Sequence, residues 1–300
     1  MSRATTLLVF GGNGQLGREL VRALAPLGNV VATTRSGRLV DGTACETADF
    51  EQPDTLANVL DLVRPDFVVN AAAYTAVDRA EDETAVAWRV NAEAPGAIAR
   101  WCAAAGVPLV HYSTDYVFDG QGSHPYREDD ATAPLGVYGQ SKLAGEDAVR
   151  AGGGRHMIFR TAWVYASHSA NFLRTMLRVG AERDVLRVVA DQVGTPTPAA
   201  LIADVTAQVL QHPGALSGTW HLTAEGETSW HGFAEAILAE AVAAGKLKRA
   251  PMVEAITTDE YPTPAKRPAY SHLDVSRIQS DFDLVLPSWQ DGLKRVIAEI

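Results

Sequence analysis

The glycine spacing at positions 11–17 constrains this chain more than any other feature. Gly11, Gly14 and Gly17 stand in GGNGQLG, directly after the apolar run Leu7–Phe10. The same segment opens a stretch, Gln15–Leu27, whose residues Leu16, Leu20, Ala23, Leu24 and Leu27 share one helical face. A strand that turns tightly into a helix leaves the first helical N–H groups and the positive dipole end free. Glycines at the turn then let the backbone approach a pyrophosphate.

The same alternation recurs through the first half. The sequence predicts strands at Val30–Thr34, Phe67–Asn70, Leu109–Ser113 and His156–Thr161. Between them it predicts helices from Pro53 to Val63, from Glu81 to Ala105 with a break at Pro95, and from Tyr138 to Arg150. Continuous apolar strands, each followed by a helix, imply a parallel sheet covered on both faces. The fold class is therefore α/β, a Rossmann-like doubly wound parallel sheet. After Gly152–Gly154 the pattern loosens. Helices at Asn171–Val179, Ala199–Leu210, Ser229–Ala244 and Trp289–Ile300 alternate with short strands at Val185–Val189, Thr219–Leu222 and Val253–Ile256, and Tyr261–Pro268 reads as a loop. Two domains are predicted: residues 1–160 bind a dinucleotide, with later segments returning to them. Residues 161–300 mainly form a smaller, mixed α/β substrate domain.

Composition narrows the class of partner. Lys plus Arg total 26 against 36 for Asp plus Glu, a formal net charge of −10. A broad basic face for nucleic acid or an anionic membrane is excluded, so anionic small molecules must be held by local features. Cys45 and Cys102 form neither a disulfide framework nor a CxxC pair. The apolar run ending at Phe10 is too short for a signal peptide or a membrane span, and a soluble, cytoplasmic protein is expected. His221 and His231 lack metal-ligand spacing, and no metal is expected.

The end of the second strand selects the dinucleotide. A carboxylate there binds ribose hydroxyls; here the residues are Thr34, Arg35 and Ser36. Arg35 between two hydroxyls suits a 2′-phosphate, which predicts NADPH, with NADH as an alternative donor. Further on, Tyr138 and Lys142 form a YxxxK motif whose i, i+4 spacing puts both on one helical face. A lysine ammonium beside a phenol eases proton exchange. Thr114 follows the fourth strand, where an open parallel sheet places its ligands, and its hydroxyl can bond an oxygen on which charge develops.

Glycine loop, Thr114 and YxxxK together resemble the extended short-chain dehydrogenase/reductase superfamily. Within it, the chain is similar to the dTDP-4-dehydrorhamnose reductase family through HYSTDYVFDG, VYGQSKLAGE, FRTAWVY, NFLRTML, DQVGTPT and YPTPAKRP. The resemblance implies that Tyr138 donates a proton, that Lys142 tunes it and touches the ribose, and that Thr114 bonds the reacting oxygen. It further implies that Gly14, Gln15 and Leu16 hold the pyrophosphate and that Asp49 and Phe50 hold the adenine end. Ala73, Tyr74, Thr75 and Tyr112 would run along the cofactor, and Val77, Asp115 and Trp163 would touch substrate. Asn91 stands where related enzymes keep a proton-relay asparagine. Some relatives bind Mg²⁺ at a dimer interface; Glu19 is available here, but Pro198-Ala199-Ala200 lacks the other carboxylates, so the metal is not carried over. A homodimer is expected among the partners, though not one built on that metal.

The glutamate that a dehydratase keeps after Thr-Asp is replaced by Tyr116, which favours a simple reductase. The implied reaction is NADPH-dependent reduction of the 4-keto group of a nucleotide-diphosphate sugar, dTDP-4-dehydro-6-deoxy-L-mannose. The alternatives are another nucleotide-sugar 4-ketoreductase, or an NADP-binding partner protein without turnover, like the regulatory subunit of methionine adenosyltransferase.

Overall fold

The structure, a computed structural model, describes residues 4–212 and 217–300. Its centre is a seven-stranded, all-parallel sheet of β1 (Thr6–Phe10), β2 (Asn29–Thr34), β3 (Glu46–Thr47), β4 (Phe67–Asn70), β5 (Leu109–Thr114), β6 (His156–Thr161) and β7 (Gly218–His221). The spatial order β7-β6-β5-β4-β1-β2-β3 reverses direction between β1 and β4. That reversal opens a crevice at the carboxyl ends of the strands. The expected Rossmann-like sheet is therefore present.

Strand periodicity divides the core into two layers. Leu7 and Val9 face Leu20 and Leu24 of α1 (Gln15–Leu24), together with Ile202 and Val205 of the helix Ala199–Leu210. Leu8 and Phe10 face the other way, onto Leu56 and Leu60 of α2 (Leu56–Val63) and Ile98 of α3 (Ala94–Ala105). A third cluster, with Tyr165, Leu173, Phe233, Ile237 and Trp289, is assembled from later segments. It packs the helices Phe172–Glu182, Trp230–Ala243 and Trp289–Ala298 beside a two-stranded parallel sheet, Val185–Val189 with Met252–Ile256.

The long helix expected from Glu81 to Ala105 is not one helix. It divides into Thr84–Trp88, a π-helical turn at Arg89–Glu93, and α3. Pro95 has no N–H for the Asn91 carbonyl, and the turn widens where that bond is lost. The Asn91 carbonyl instead meets α4 (Val137–Ala151) at Gly145, where a Cβ would lie 2.0 Å from the oxygen. Only glycine permits that approach, and it seats the YxxxK helix against the sheet.

Candidate active site

The glycine loop is built as its sequence requires. Gly11 has φ +86°, and a Cβ at Gly17 would sit 2.0 Å from the Gly11 carbonyl oxygen. Gly14 is the N-cap of α1, and no side chain bonds the amides there. Those N–H groups face a groove of about 880 Å³ at the sheet crevice. Gly11, Gly14, Arg35, Asp49, Phe50, Ala73 and Tyr74 line it, as the sequence implies for a dinucleotide. The helix N-terminus without a side-chain cap, an unpartnered buried Asn13 Oδ1 and the cavity's size fit such a ligand.

Other residues expected at the cofactor lie outside that lining. Leu16 and Gly17 pack into α1, and Thr75 is exposed. The Gln15 side chain accepts from Asn171 Nδ2 at 2.8 Å, tying the glycine loop to the helix Phe172–Glu182. Tyr112 turns its ring into the core, where its hydroxyl meets Thr206 Oγ1 at 2.8 Å. Only its carbonyl faces the site, so any contact with cofactor has to come from its backbone.

At the adenine end, Arg35 pairs with Glu51 at 3.4 Å and is 76% exposed. Phe50 is buried edge-on against Phe10, ring centroids 5.5 Å apart. The Asp49 carboxylate accepts from the Glu51 amide and from Gln52, at 3.0 and 3.1 Å. Arg79 and Glu83 also line the groove, and Tyr74 donates to Glu83 at 2.6 Å. The sequence reading missed both, although their i, i+4 spacing in the segment after β4 is a visible signal.

Thr114, Tyr138 and Lys142 converge at the carboxyl end of β5. Thr114 stands beside the Tyr138 phenol, and Thr114 Oγ1 donates to Asp115 Oδ1 at 2.9 Å. Lys142 Nζ donates to the Tyr112 carbonyl at 2.6 Å. Burial pushes the Tyr138 phenol up to about 12; the neighbouring Thr114 hydroxyl opposes this and the Asp115 charge reinforces it. The lowering expected from Lys142 is not what this geometry gives, because the ammonium is turned to a carbonyl. Burial also brings Lys142 down to about 8, against the charge of Glu146 one turn away. Glu146 is itself fully buried and forked onto Arg160 at 2.9 and 2.8 Å.

Asn91 is used as a clamp. Its Oδ1 accepts from the Tyr74 amide at 2.8 Å, and its Nδ2 donates to the Tyr74 carbonyl and to Ser141 Oγ at 3.0 and 3.1 Å. It fixes the loop 73–75 to the YxxxK helix.

A second cavity of about 320 Å³ lies among the later segments, lined by Phe172, Met176, Arg187, Gln192, Trp230 and Arg267 with four others. Trp163, at φ +46°, stacks on Trp230 at 3.6 Å and so stands behind this lining. Val77 opens the short helix Val77–Ala80, whose Asp78 holds Arg267 at 2.8 Å. Arg267 thus has a fixed partner, and Lys266 beside it is exposed. Glu19 is engaged by Arg22 and His168, at 3.0 and 2.9 Å.

Fold and site together match the extended short-chain dehydrogenase/reductase class that the motifs resemble. Residues 5–300 match the family model described as RmlD substrate binding domain, and the chain belongs to that family. A relative from Shigella flexneri, dTDP-4-dehydrorhamnose reductase, is 46% identical over 297 residues, covering 98% of this chain and 97% of that protein. One of the same name from Burkholderia thailandensis is 48% identical over 293 residues, with 95% of each chain covered. The crystal structure of a Bacillus anthracis dTDP-4-dehydrorhamnose reductase in complex with NADP superposes with a TM-score of 0.90, at 32% identity and full coverage of both chains.

Proposed function

We propose that this chain reduces the 4-keto group of dTDP-4-dehydro-6-deoxy-L-mannose, giving dTDP-L-rhamnose, with NADPH as the reductant. The observation that carries this reading is the Thr114–Tyr138–Lys142 cluster beside the dinucleotide groove. Relatives of that name over nearly the full length, and the NADP in the Bacillus anthracis protein, support it. The bound dinucleotide supplies a hydride to carbon 4. Tyr138, neutral at any physiological pH because its phenol stays near 12, then protonates the oxygen left on that carbon. The Thr114 hydroxyl, which donates to Asp115 in the structure, turns to the same oxygen as charge builds there, and one such donor lowers the barrier by about 3 kcal/mol.

The substrate's nucleotide diphosphate belongs in the second cavity. Trp230 and Phe172 offer faces to a base, and Arg187 and Arg267 offer charge to a diphosphate. Arg267 also acts on Tyr116, whose ring meets Tyr138 edge-on at 5.5 Å, so the cavity leads to the proton donor. In this reading residues 1–160 carry the cofactor and later segments the sugar nucleotide. Two free cysteines agree with a cytoplasmic setting, and among the described residues no helix is long and apolar enough to cross a membrane.

Tyr138→Phe tests the proposal. It should bind NADPH as the wild type does, yet lose turnover of the keto-sugar by roughly 10²- to 10⁴-fold. Equal turnover would remove Tyr138 from the mechanism.

A further inference from the structure

Residues 78–83 carry four carboxylates in six positions, a run that ordinarily marks a solvated face. Three of the four instead reach into the site, each to a different part of it. Asp78 forks onto Arg267, Oδ2 to Nη2 at 2.8 Å and Oδ1 to Nη1 at 3.1 Å. The same Oδ1 accepts the Ala265 amide at 3.2 Å. Arg267 in turn donates to Thr263 Oγ1, and both residues line the second cavity. Glu81 Oε1 accepts the Val137 amide at 2.9 Å, in the first turn of α4 and one residue before Tyr138. That N–H has no partner within its own helix, and the carboxylate faces the positive end of the helix dipole. Gly136 leaves room for it, since a Cβ there would lie 2.5 Å from Glu81 Oε1. Glu83 Oε2 accepts the Tyr74 hydroxyl at 2.6 Å, on the wall of the dinucleotide groove.

We infer that residues 78–83 are a positioning strut that holds the substrate cavity, the helix of the proton donor and the cofactor wall in register, one carboxylate to each. This deepens the reductase reading and rests on it. Asp78, Glu81 and Glu83 are positioning residues that act through Arg267, α4 and Tyr74. The reaction requires the sugar, the Tyr138 hydroxyl and the dinucleotide to meet, and a misplacement of about 1 Å costs rate steeply.

The three side chains leave one compact piece of backbone. The turn Val77–Ala80 is continued by the Asp82 and Glu83 amides, which donate to the Arg79 carbonyl at 3.2 and 2.8 Å. The Arg267 bond holds the Asp78 carboxyl below the usual range, and the Tyr74 bond does the same for Glu83. Both therefore stay ionised at neutral pH. The Asp78–Arg267 pair is partly exposed, so it contributes direction more than stability.

The test asks which parameter each carboxylate moves. The NADPH dissociation constant, and kcat and KM for dTDP-4-dehydrorhamnose, are measured for the wild type, Asp78→Ala, Glu81→Ala and Glu83→Ala. Asp78→Ala should raise KM about tenfold and leave the NADPH dissociation constant within about twofold. Glu81→Ala should lower kcat about tenfold at nearly constant KM. Glu81→Gln, which keeps an acceptor for the Val137 amide, should recover most of that loss. Glu83→Ala should weaken NADPH about threefold and leave KM for the sugar nucleotide in place. Where an alanine variant does not fold, Asp78→Asn, Glu81→Gln or Glu83→Gln is read instead, with the same division at smaller size. A merely structural role would lower all three parameters together. If the losses fall on all three alike, or on none, while the wild type turns over, the strut is overturned and the reductase reading stands. A wild type that binds NADPH without oxidising it overturns the reductase reading, and the strut with it.

Discussion

The dinucleotide groove and the second cavity are built by opposite means. The groove takes its shape from backbone: a glycine turn, the free N-terminus of α1 and the carboxyl ends of β1, β2 and β4. The cavity is made of side chains contributed by segments scattered between residues 172 and 267. A phosphate bound by main-chain amides tolerates much sequence change as long as glycine keeps the turn open. A site lined by Trp230, Phe172 and two arginines depends on each side chain, so in the proposed reading substrate choice resides there.

Substitutions can sharpen that contrast. The largest effect should come from Asp115, buried where the reacting cluster is assembled. Its carboxyl is held up near 6, so folding penalises the charged form. The penalty is absent below the ordinary carboxylate range, grows as pH rises towards 6 and persists above. Asp115→Asn should therefore raise the stability measured by denaturant melts at pH 8 by up to about 3 kcal/mol, and change it little at pH 3. A destabilised variant at pH 8 would contradict the burial.

Arg187→Gln should raise KM for the sugar nucleotide about 30-fold, equivalent to about 2 kcal/mol, and leave the NADPH dissociation constant unchanged. A matching loss of NADPH affinity would mean that the two regions are not separate in function. The smallest effect belongs to Arg35, exposed at the groove's edge and already shared with Glu51. Arg35→Gln should weaken NADPH about tenfold, near 1.4 kcal/mol, with NADH binding unaffected. Equal loss for both dinucleotides would place the 2′-phosphate elsewhere.

The same contrast explains what could be read from the sequence. The strands at Phe67–Asn70, His156–Thr161 and Val185–Val189 are where apolar runs put them. GGNGQLG and YxxxK are local patterns whose geometry is set within a few residues. The two-residue strands Val164–Tyr165, Val193–Gly194, Thr197–Pro198 and Thr228–Ser229 exist only through pairing with distant partners, and no local pattern marks them. The ring of Tyr112 turns away from the site for the same kind of reason. Strand alternation sends it to the face covered by the helix Ala199–Leu210, where Thr206 receives its hydroxyl. The cavity's Arg187 and Gln192, and the Gln15–Asn171 link, likewise depend on tertiary placement that spacing cannot carry.

The central claim is a hydride transfer to carbon 4 of the sugar with protonation by this chain. The most direct measurement supplies NADPH deuterated at the transferring position together with dTDP-4-dehydrorhamnose, and follows the product by NMR. One deuterium on carbon 4 of dTDP-L-rhamnose for each NADP⁺ formed is the expected result. Tight NADPH binding with no oxidation and no labelled sugar would contradict it and leave the chain as a dinucleotide-binding partner protein.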